Sequence, residues 1–172
     1  MAKRFSVILE LLRLAKTKVG KTFLQKAIYI LQDWLSLDLG YGYKLYLYGP
    51  YSEDLSQDIE VLGDLGLIGI GSDATGYGYG ITLSDKGAKF LSENLGIYMA
   101  DAGRLQKVIS LLGTSDVKNM ELLSTILYLA KTTVDKDETI RLMREIKPQF
   151  SSDQVDLKIE ELGRQDIVVF PQ

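Results

Sequence analysis

The segment LGDLGLIGIGSDATGYGYGITLSDKG, residues 62–87, decides the fold. Its apolar and glycine pattern predicts a short strand over 67–70, a glycine-rich hairpin tip over 71–80 and a returning strand over 81–83. A helix over 84–95 is expected to follow. Because clustered glycines allow the backbone conformations of tight turns, the two strands are expected to pair as an antiparallel hairpin.

Upstream of this segment, apolar residues recur at helical spacing in three places. They predict helices over 5–16, 22–35 and 53–66. Thr22 and Gln25 have the spacing of a capping box, in which two side chains bond the free backbone N–H groups at the start of a helix. We therefore expect the second helix to begin at Thr22.

Two signals separate the second predicted helix from the third. Residues 43–48 alternate as a half-buried strand does, and Gly49 with Pro50 is expected to end that strand, since proline cannot donate to a ladder. Ser52 is placed to cap the third helix. The order helix, helix, strand, helix, strand, glycine-rich tip, strand, helix is that of a winged helix-turn-helix. We therefore expect a mainly α protein with a small antiparallel β wing (α+β).

The second half of the sequence resembles a degenerate copy of the first. With a shift of 100 residues, Ser52, Ile59, Glu60, Leu62 and Gly63 fall on identical residues at 152, 159, 160, 162 and 163. Helices are predicted over 119–132, 136–147 and 152–164, and a strand over 167–170. Two interpretations stay open, a tandem winged-helix repeat and a chance alignment of amphipathic helices.

The predicted domain organisation has three parts. Residues 1–96 form the winged-helix domain, and residues 114–172 form the helical second half. Residues 97–113 carry apolar side chains at helical spacing and join the two. This joining helix is expected either to lie in a shared core or to form a dimerisation surface.

The composition excludes several classes of chemistry. The 172 residues include no cysteine and no histidine, which removes disulfides, thiolate catalysis, Cys/His zinc sites and any imidazole base. No serine–lysine or carboxylate constellation stands out, so we expect no enzymatic activity, no cofactor and no metal. Glu10 and Arg13 interrupt the apolar run near the N-terminus, and no apolar stretch is long enough to cross a bilayer. We expect a cytoplasmic protein with no membrane contact.

Charge argues against standard docking of the third helix on DNA. A winged helix usually places this helix in the major groove, where lysine and arginine neutralise phosphates. Here the helix carries no basic residue. Its acids, which we expect to be uncompensated and to repel a phosphate backbone, are Glu53, Asp54, Asp58, Glu60 and Asp64.

A nucleic-acid role would need another surface. The first 30 residues carry seven basic side chains against one acid, Glu10. The candidates at the end that joins the first two helices are Arg13, Lys16, Lys18, Lys21 and Lys26. These cations either form a solvated face, bind nucleic acid, or pair with the acidic helix of a second copy in a homodimer.

Tyrosines favour a protein contact. Eight of the ten tyrosines lie between residues 29 and 79. A tyrosine offers a large apolar area with a polar tip, which is typical of interface anchors. The candidate contact residues are Tyr46, Tyr48, Tyr51, Tyr77 and Tyr79, together with Asp54 and Asp58 of the acidic helix.

Two short motifs are similar to a known family. Leu24-Gln25-Lys26 followed by Tyr29, with Tyr48-Gly49-Pro50 after a short strand, resembles the signature of Panacea-type (SocA-like antitoxin) domains. The longer phrase from Tyr48 to Leu55, with Leu65-Gly66-Leu67-Ile68, is more similar still to the YwgA-like proteins. The resemblance covers about residues 6–70. It implies a winged-helix fold and a protein partner, because Panacea domains neutralise toxins through protein contacts and some act as protease adaptors.

These observations favour a non-enzymatic regulatory or adaptor module that acts through protein–protein contacts and is antitoxin-like. The alternative is a DNA-binding transcriptional regulator that uses the basic end of the first two helices. Salt-sensitive DNA binding would distinguish the two, since phosphate contacts weaken steeply with added salt.

Overall fold

Apolar stripes form helices along most of the chain. The computed structural model describes residues 2–72, 79–94, 99–113, 116–167 and 170. In chain order the elements are α1 (Ala2–Ala15), α2 (Lys21–Asp33), β1 (Lys44–Tyr46), β2 (Gly49–Tyr51), α3 (Glu53–Asp64), β3 (Ile68–Ser72), β4 (Tyr79–Leu83), α4 (Asp85–Glu93), a 3-10 turn (Met99–Asp101), α5 (Ala102–Leu112), α6 (Val117–Ala130), α7 (Lys136–Ile146) and α8 (Ser152–Arg164). The fold is mainly α with small β hairpins, which confirms the predicted α+β class. No helix within the described ranges is long and apolar enough to cross a membrane.

The chain divides into two compact units. The first comprises Met1–Lys44 and Tyr51–Ser115, and the second comprises Leu45–Pro50 and Asp116–Gln172. A six-residue segment from the first half of the sequence therefore belongs with the C-terminal helices.

The core of the first unit is built on α1 and α2. Helix α5 packs against both through Leu105, Val108 and Leu112, which are fully buried. Strand β4 contacts α1, and its Ile81 exchanges two backbone hydrogen bonds with Val19, at 3.1 and 2.8 Å. Strand β3 pairs antiparallel with β4, with Ile70 opposite Ile81. The sheet order is thus Val19, β4, β3.

The second unit is a bundle of α6, α7 and α8, each of which contacts the other two. Its helices begin at side-chain caps: Asp116 and Asp135 accept bonds from backbone N–H groups, and Ser151 forms a capping box with Gln154. The observed helices lie within two residues of the predicted ones. Of the strand predicted over 167–170, residues 168 and 169 lie outside the described residues.

Two local predictions are wrong. The strand predicted over 43–48 ends at Tyr46, and Gly49 and Pro50 begin strand β2 instead of ending a strand, because Gly49 adopts a φ of +90° that reverses the chain. The capping box at Thr22 is also absent. Helix α2 begins at Lys21 after Gly20, without a side-chain cap, and the Gln25 amide bonds elsewhere.

Candidate functional site

A tyrosine tip, defined as Tyr46, Leu47 and Tyr48, connects β1 to β2. These three consecutive side chains are 58%, 68% and 57% exposed, although each is large and mostly apolar. Scattered surface apolar residues are ordinary in proteins, but a contiguous group is typical of an interaction site. Two of the three are tyrosines, a residue type enriched at binding hot spots.

Gly49 fixes the backbone directly after the tip. Its φ of +90° is rarely adopted by residues with a side chain. A Cβ at this position would lie 2.8 Å from Ser124 Oγ and 3.0 Å from Thr125 Oγ1, both on α6. Only glycine therefore lets the hairpin approach α6 this closely.

A buried ion pair also holds the tip. The Lys147 ammonium lies 2.7 Å from Glu121 Oε1, and both side chains are about nine-tenths buried. Lys147 Nζ also donates a hydrogen bond to the Leu47 carbonyl. Gln149 Nε2 donates to the same Glu121 oxygen at 3.1 Å. The middle residue of the tip is thus bonded to the core of the second unit.

The ion pair is better explained by positioning than by stability. A buried ion pair often contributes no more to folding than a well-packed apolar pair, because both charges lose their hydration. Lys147 nevertheless donates one of its hydrogen bonds to the Leu47 carbonyl. The exposed apolar side chains of the tip therefore stand on a backbone that this bond fixes.

The motif residues of the first unit form a separate clasp. Gln25 Nε2 donates to the Ser52 carbonyl at 2.9 Å, and the Ser52 N–H donates back to Gln25 Oε1 at 2.8 Å. Gln25 Nε2 also donates to Ser56 Oγ, which in turn donates to the Tyr51 hydroxyl. The glutamine of the LQK motif therefore fixes the start of α3.

A second glutamine, two helical turns later on α2, repeats this arrangement. Gln32 Nε2 donates to the Tyr41 carbonyl at 2.8 Å, and the Tyr41 N–H donates to Gln32 Oε1 at 2.8 Å. Because residues seven apart lie on the same face of a helix, Gln25 and Gln32 bond two extended segments from one side of α2. Neither role was predicted from sequence.

The acids of α3 are partly neutralised, so the expectation of five uncompensated carboxylates is wrong. Their ion-pair partners come from other elements: Lys44 for Glu53 at 2.5 Å, Arg4 for Asp58 at 3.7 Å, and Lys21 for Glu60 at 3.7 Å. The hydrogen bond from Lys44 lowers the pKa of the Glu53 carboxyl. Among the described residues, Asp54 and Asp64 form no ion pair. The surface of α3 therefore stays acidic, but less so than its sequence indicates.

Asp58 is part of a structural cluster, not an open contact surface. The Tyr41 hydroxyl donates to Asp58 Oδ2 at 2.6 Å, and the Arg4 guanidinium lies 4.2 Å from the centre of the Tyr41 ring. Arg4 also donates to the carbonyls of Leu39 and Gly40. Burial, together with the Asp58 carboxylate, raises the pKa of the Tyr41 hydroxyl well above its ordinary range.

The other predicted contact residues do not all lie together. Tyr46 and Tyr48 belong to the second unit. Tyr51 and Asp54 line a cavity of about 270 Å³ in the first unit, beside the Lys44–Glu53 ion pair. Tyr79 is exposed and lines a different groove of that unit, of about 480 Å³, between β4 and the start of α2. Tyr77 lies outside the described residues.

The basic end of the first two helices is smaller than the sequence indicates. Lys26 is buried, which removes it from the surface. Arg13 forms a two-bond ion pair with Glu10, at 2.6 Å for each bond, and Lys21 pairs with Glu60. Lys16 and Lys18 are exposed between α1 and α2.

The chain is similar in sequence to a known bacterial protein. No family model matches the chain. The chain is similar to a Bacillus subtilis (strain 168) protein named Uncharacterized protein YwgA, with 32% identity over 112 residues. The match covers 64% of this chain and 64% of the relative, so the chain spans less than two thirds of that protein's length. This agrees with the resemblance to YwgA-like proteins, while a relationship to Panacea-type domains stays a prediction.

Proposed function

We propose that this chain is a non-enzymatic regulatory or adaptor module that binds a protein partner through its tyrosine tip. The observation that carries the proposal is the exposure of Tyr46, Leu47 and Tyr48 on a backbone fixed by Gly49 and Lys147. A rigid apolar projection fits a pocket on a folded protein, because the projection is ordered before binding. The resemblance to Panacea-type domains extends the proposal to an antitoxin-like role.

Winged-helix architecture is part of the proposal. Its support is the order of elements in the first unit: α1, the strand-like Val19, α2, α3 and then the β3–β4 hairpin. In this interpretation α3 is the helix that winged folds usually present to DNA, and the hairpin is the wing. The proposed site lies outside both, in the segment between α2 and α3.

We further propose that the second unit is a degenerate repeat of the first. Helices α3 and α8 begin at the serine caps Ser52 and Ser151, which lie 99 residues apart, and they end in the same way at a shift of 100 residues. Gly66 and Asp166 both adopt positive φ, and the next N–H donates to a carbonyl five residues back, at 2.9 Å from Leu67 and 3.1 Å from Ile167. This repeated helix end supports a common origin.

Site-specific crosslinking tests the tip directly. A photoreactive amino acid replaces Leu47 in one variant and Leu157 in a control, which is 63% exposed and lies on α8 of the same unit. In cells of the source organism, the variant at 47 is expected to form a discrete protein adduct that the variant at 157 does not form. Tyr46→Ser with Tyr48→Ser is expected to abolish it. Identical adducts from both positions would refute the proposal.

DNA binding is the second candidate, favoured by the exposed Lys16 and Lys18 and by the ion pairs that reduce the charge of α3. Fluorescence anisotropy with duplex DNA at increasing salt separates the candidates. We expect only weak, non-specific binding. Tight binding that falls steeply with salt, and that Lys16→Glu with Lys18→Glu abolishes, would replace the tip proposal with a nucleic-acid function.

A further inference from the structure

Strand β3 has an open outer edge in the described part of the chain. Among the described residues it pairs with β4 on one side only, and its sequence, Ile-Gly-Ile-Gly-Ser, contains no charge and no proline. Gly69, Ile70 and Gly71 are exposed, and Ile70 is 48% exposed although it is fully apolar. Natural edge strands are usually protected by lysine, proline or a bulge, because an open edge is a template for another strand. β3 has none of these.

The pairing pattern shows which backbone groups face outward. Ile81 on β4 bonds to Val19 through both its N–H and its carbonyl, so neither group points at Ile70 opposite. Along an antiparallel strand these groups alternate in direction. Gly69 and Gly71 therefore bond to β4, whereas the N–H and carbonyl of Ile70 point to the open edge. In the described part of the chain, neither of these Ile70 groups has a hydrogen-bond partner.

We propose that β3 pairs with β3 of a second copy of this chain, antiparallel about a two-fold axis at Ile70. In this register, the Ile70 N–H of each copy donates to the Ile70 carbonyl of the other, which satisfies the outward groups of both copies. The β3 and β4 strands of the two copies then form one continuous sheet.

Self-complementarity selects a second copy as the occupant. A two-fold axis brings identical residues together, so a charged edge would repel its own copy. β3 has no charge, and its central side chain is an exposed isoleucine that would pack on the same isoleucine of the other copy.

The proposed dimer is small and therefore concentration-dependent. Pairing of one five-residue edge is expected to bury less surface area than the roughly 1,200 Å² that stable interfaces bury. We expect sedimentation velocity of the full chain to show a reversible shift from monomer to dimer across a concentration series. A chain that sediments as a monomer at every concentration would overturn the proposal, including the case in which this edge binds a foreign peptide instead.

Charge reversal tests the register. Ile70→Lys and Ile70→Glu each place two like charges at the axis and are expected to weaken dimerisation by about tenfold or more. An equimolar mixture of the two variants is expected to restore dimerisation, because lysine then faces glutamate. Recovery in the mixture also shows that both variants fold. A dimer that persists in Ile70→Lys, or a mixture that stays monomeric, would overturn the proposal.

A cysteine scan gives an independent readout, since the natural chain has no cysteine. Two residues that exchange both backbone hydrogen bonds across an antiparallel pair have their Cα atoms about 5.5 Å apart, a distance that a disulfide can span. Ile70→Cys is expected to form a covalent dimer on mild oxidation. Val134→Cys, at an exposed position before α7, is the matched control. Equal crosslinking at both positions would contradict the two-fold register.

Discussion

The segment that carries the YGP motif is anchored at its two ends by different chemistry. At Ser52, in the first unit, the neutral amide of Gln25 donates one hydrogen bond and accepts another. At Leu47, in the second unit, the ammonium of Lys147 donates to a carbonyl while Glu121 neutralises its charge. In both cases a buried side chain bonds the backbone of the segment between α2 and α3: Gln25 belongs to α2, and Lys147 directly follows α7. The two anchors differ in charge.

From this difference in charge we infer that the charged anchor mainly determines position and that the neutral anchor mainly determines stability. An amide satisfies the donor and the acceptor of one residue without bringing charge into the core, so its cost of burial is small. An ammonium needs a buried counter-charge, and two desolvated charges add little net stability. The charged anchor bonds the backbone of the exposed tip, where a fixed geometry would serve the binding that we propose. The neutral anchor lies at the start of α3, where a stable helix end is needed.

The largest expected effect comes from removing one charge of the second anchor. Glu121→Leu is expected to lower the free energy of unfolding by about 4 kcal/mol, because the Lys147 ammonium stays buried without its counter-charge. Denaturant unfolding of the variant and the parent chain measures the difference. The double variant Glu121→Leu with Lys147→Met is expected to recover most of this loss, since no charge remains.

The double variant also separates position from stability. It removes the donor to the Leu47 carbonyl, so backbone amides around the tip are expected to exchange with solvent faster than in the parent chain, even where global stability recovers. A single variant that costs less than about 1 kcal/mol, or a tip whose exchange does not change, would show that the ion pair does not hold the tip.

A smaller effect is expected at the neutral anchor. Gln25→Leu is expected to cost about 2 kcal/mol, because the buried Ser52 N–H loses its acceptor. Gln32→Leu removes the same pair of bonds at a partly exposed site, where water can replace them, and is expected to cost about 1 kcal/mol. Leucine and glutamine have similar helix propensities, so unfolding experiments compare the two clasps alone. Equal costs would mean that burial does not decide the strength of the clasp.

Local patterns predicted the helices well, and they failed where the partner of a residue lies far along the chain. Amphipathic spacing places α6, α7 and α8 within two residues of their observed ends. Ser52 caps α3 as predicted, because capping depends on residues three apart. Gln25 has the same local signal, yet its partner Ser52 lies 27 residues away. A local motif cannot distinguish these two uses of one side chain.

The candidate site was predicted only in part for the same reason. Tyr46 and Tyr48 were selected from residue type, and both are exposed. Nothing near Glu121 or Lys147 in the sequence indicates that they pair, or that Lys147 bonds a carbonyl 100 residues earlier. The charge of α3 was overestimated because its cations, Arg4 among them, come from other elements. Glycine at 49 was the available signal for the tip, since a glycine before proline in a strand-like segment favours a turn.

A third anchor combines the two chemistries and gives the smallest expected effect. At Tyr41 a neutral hydroxyl donates to the charged Asp58 carboxylate, and burial with this carboxylate raises the hydroxyl's pKa above its ordinary value of 10.0. Above pH 10 the unfolded chain therefore loses a proton that the folded chain keeps, so stability is complete below pH 10 and falls as the pH rises further. By about pH 10.5 the loss in the free energy of unfolding is expected to stay below about 1 kcal/mol.

Unfolding experiments between pH 9 and pH 10.5 test this expectation. The free energy of unfolding of Tyr41→Phe should depend less steeply on pH than that of the parent chain. Tyr79→Phe, which changes a tyrosine that is 76% exposed, should keep the parent slope. If both variants flatten it equally, the Tyr41 proton is not retained by burial and Asp58.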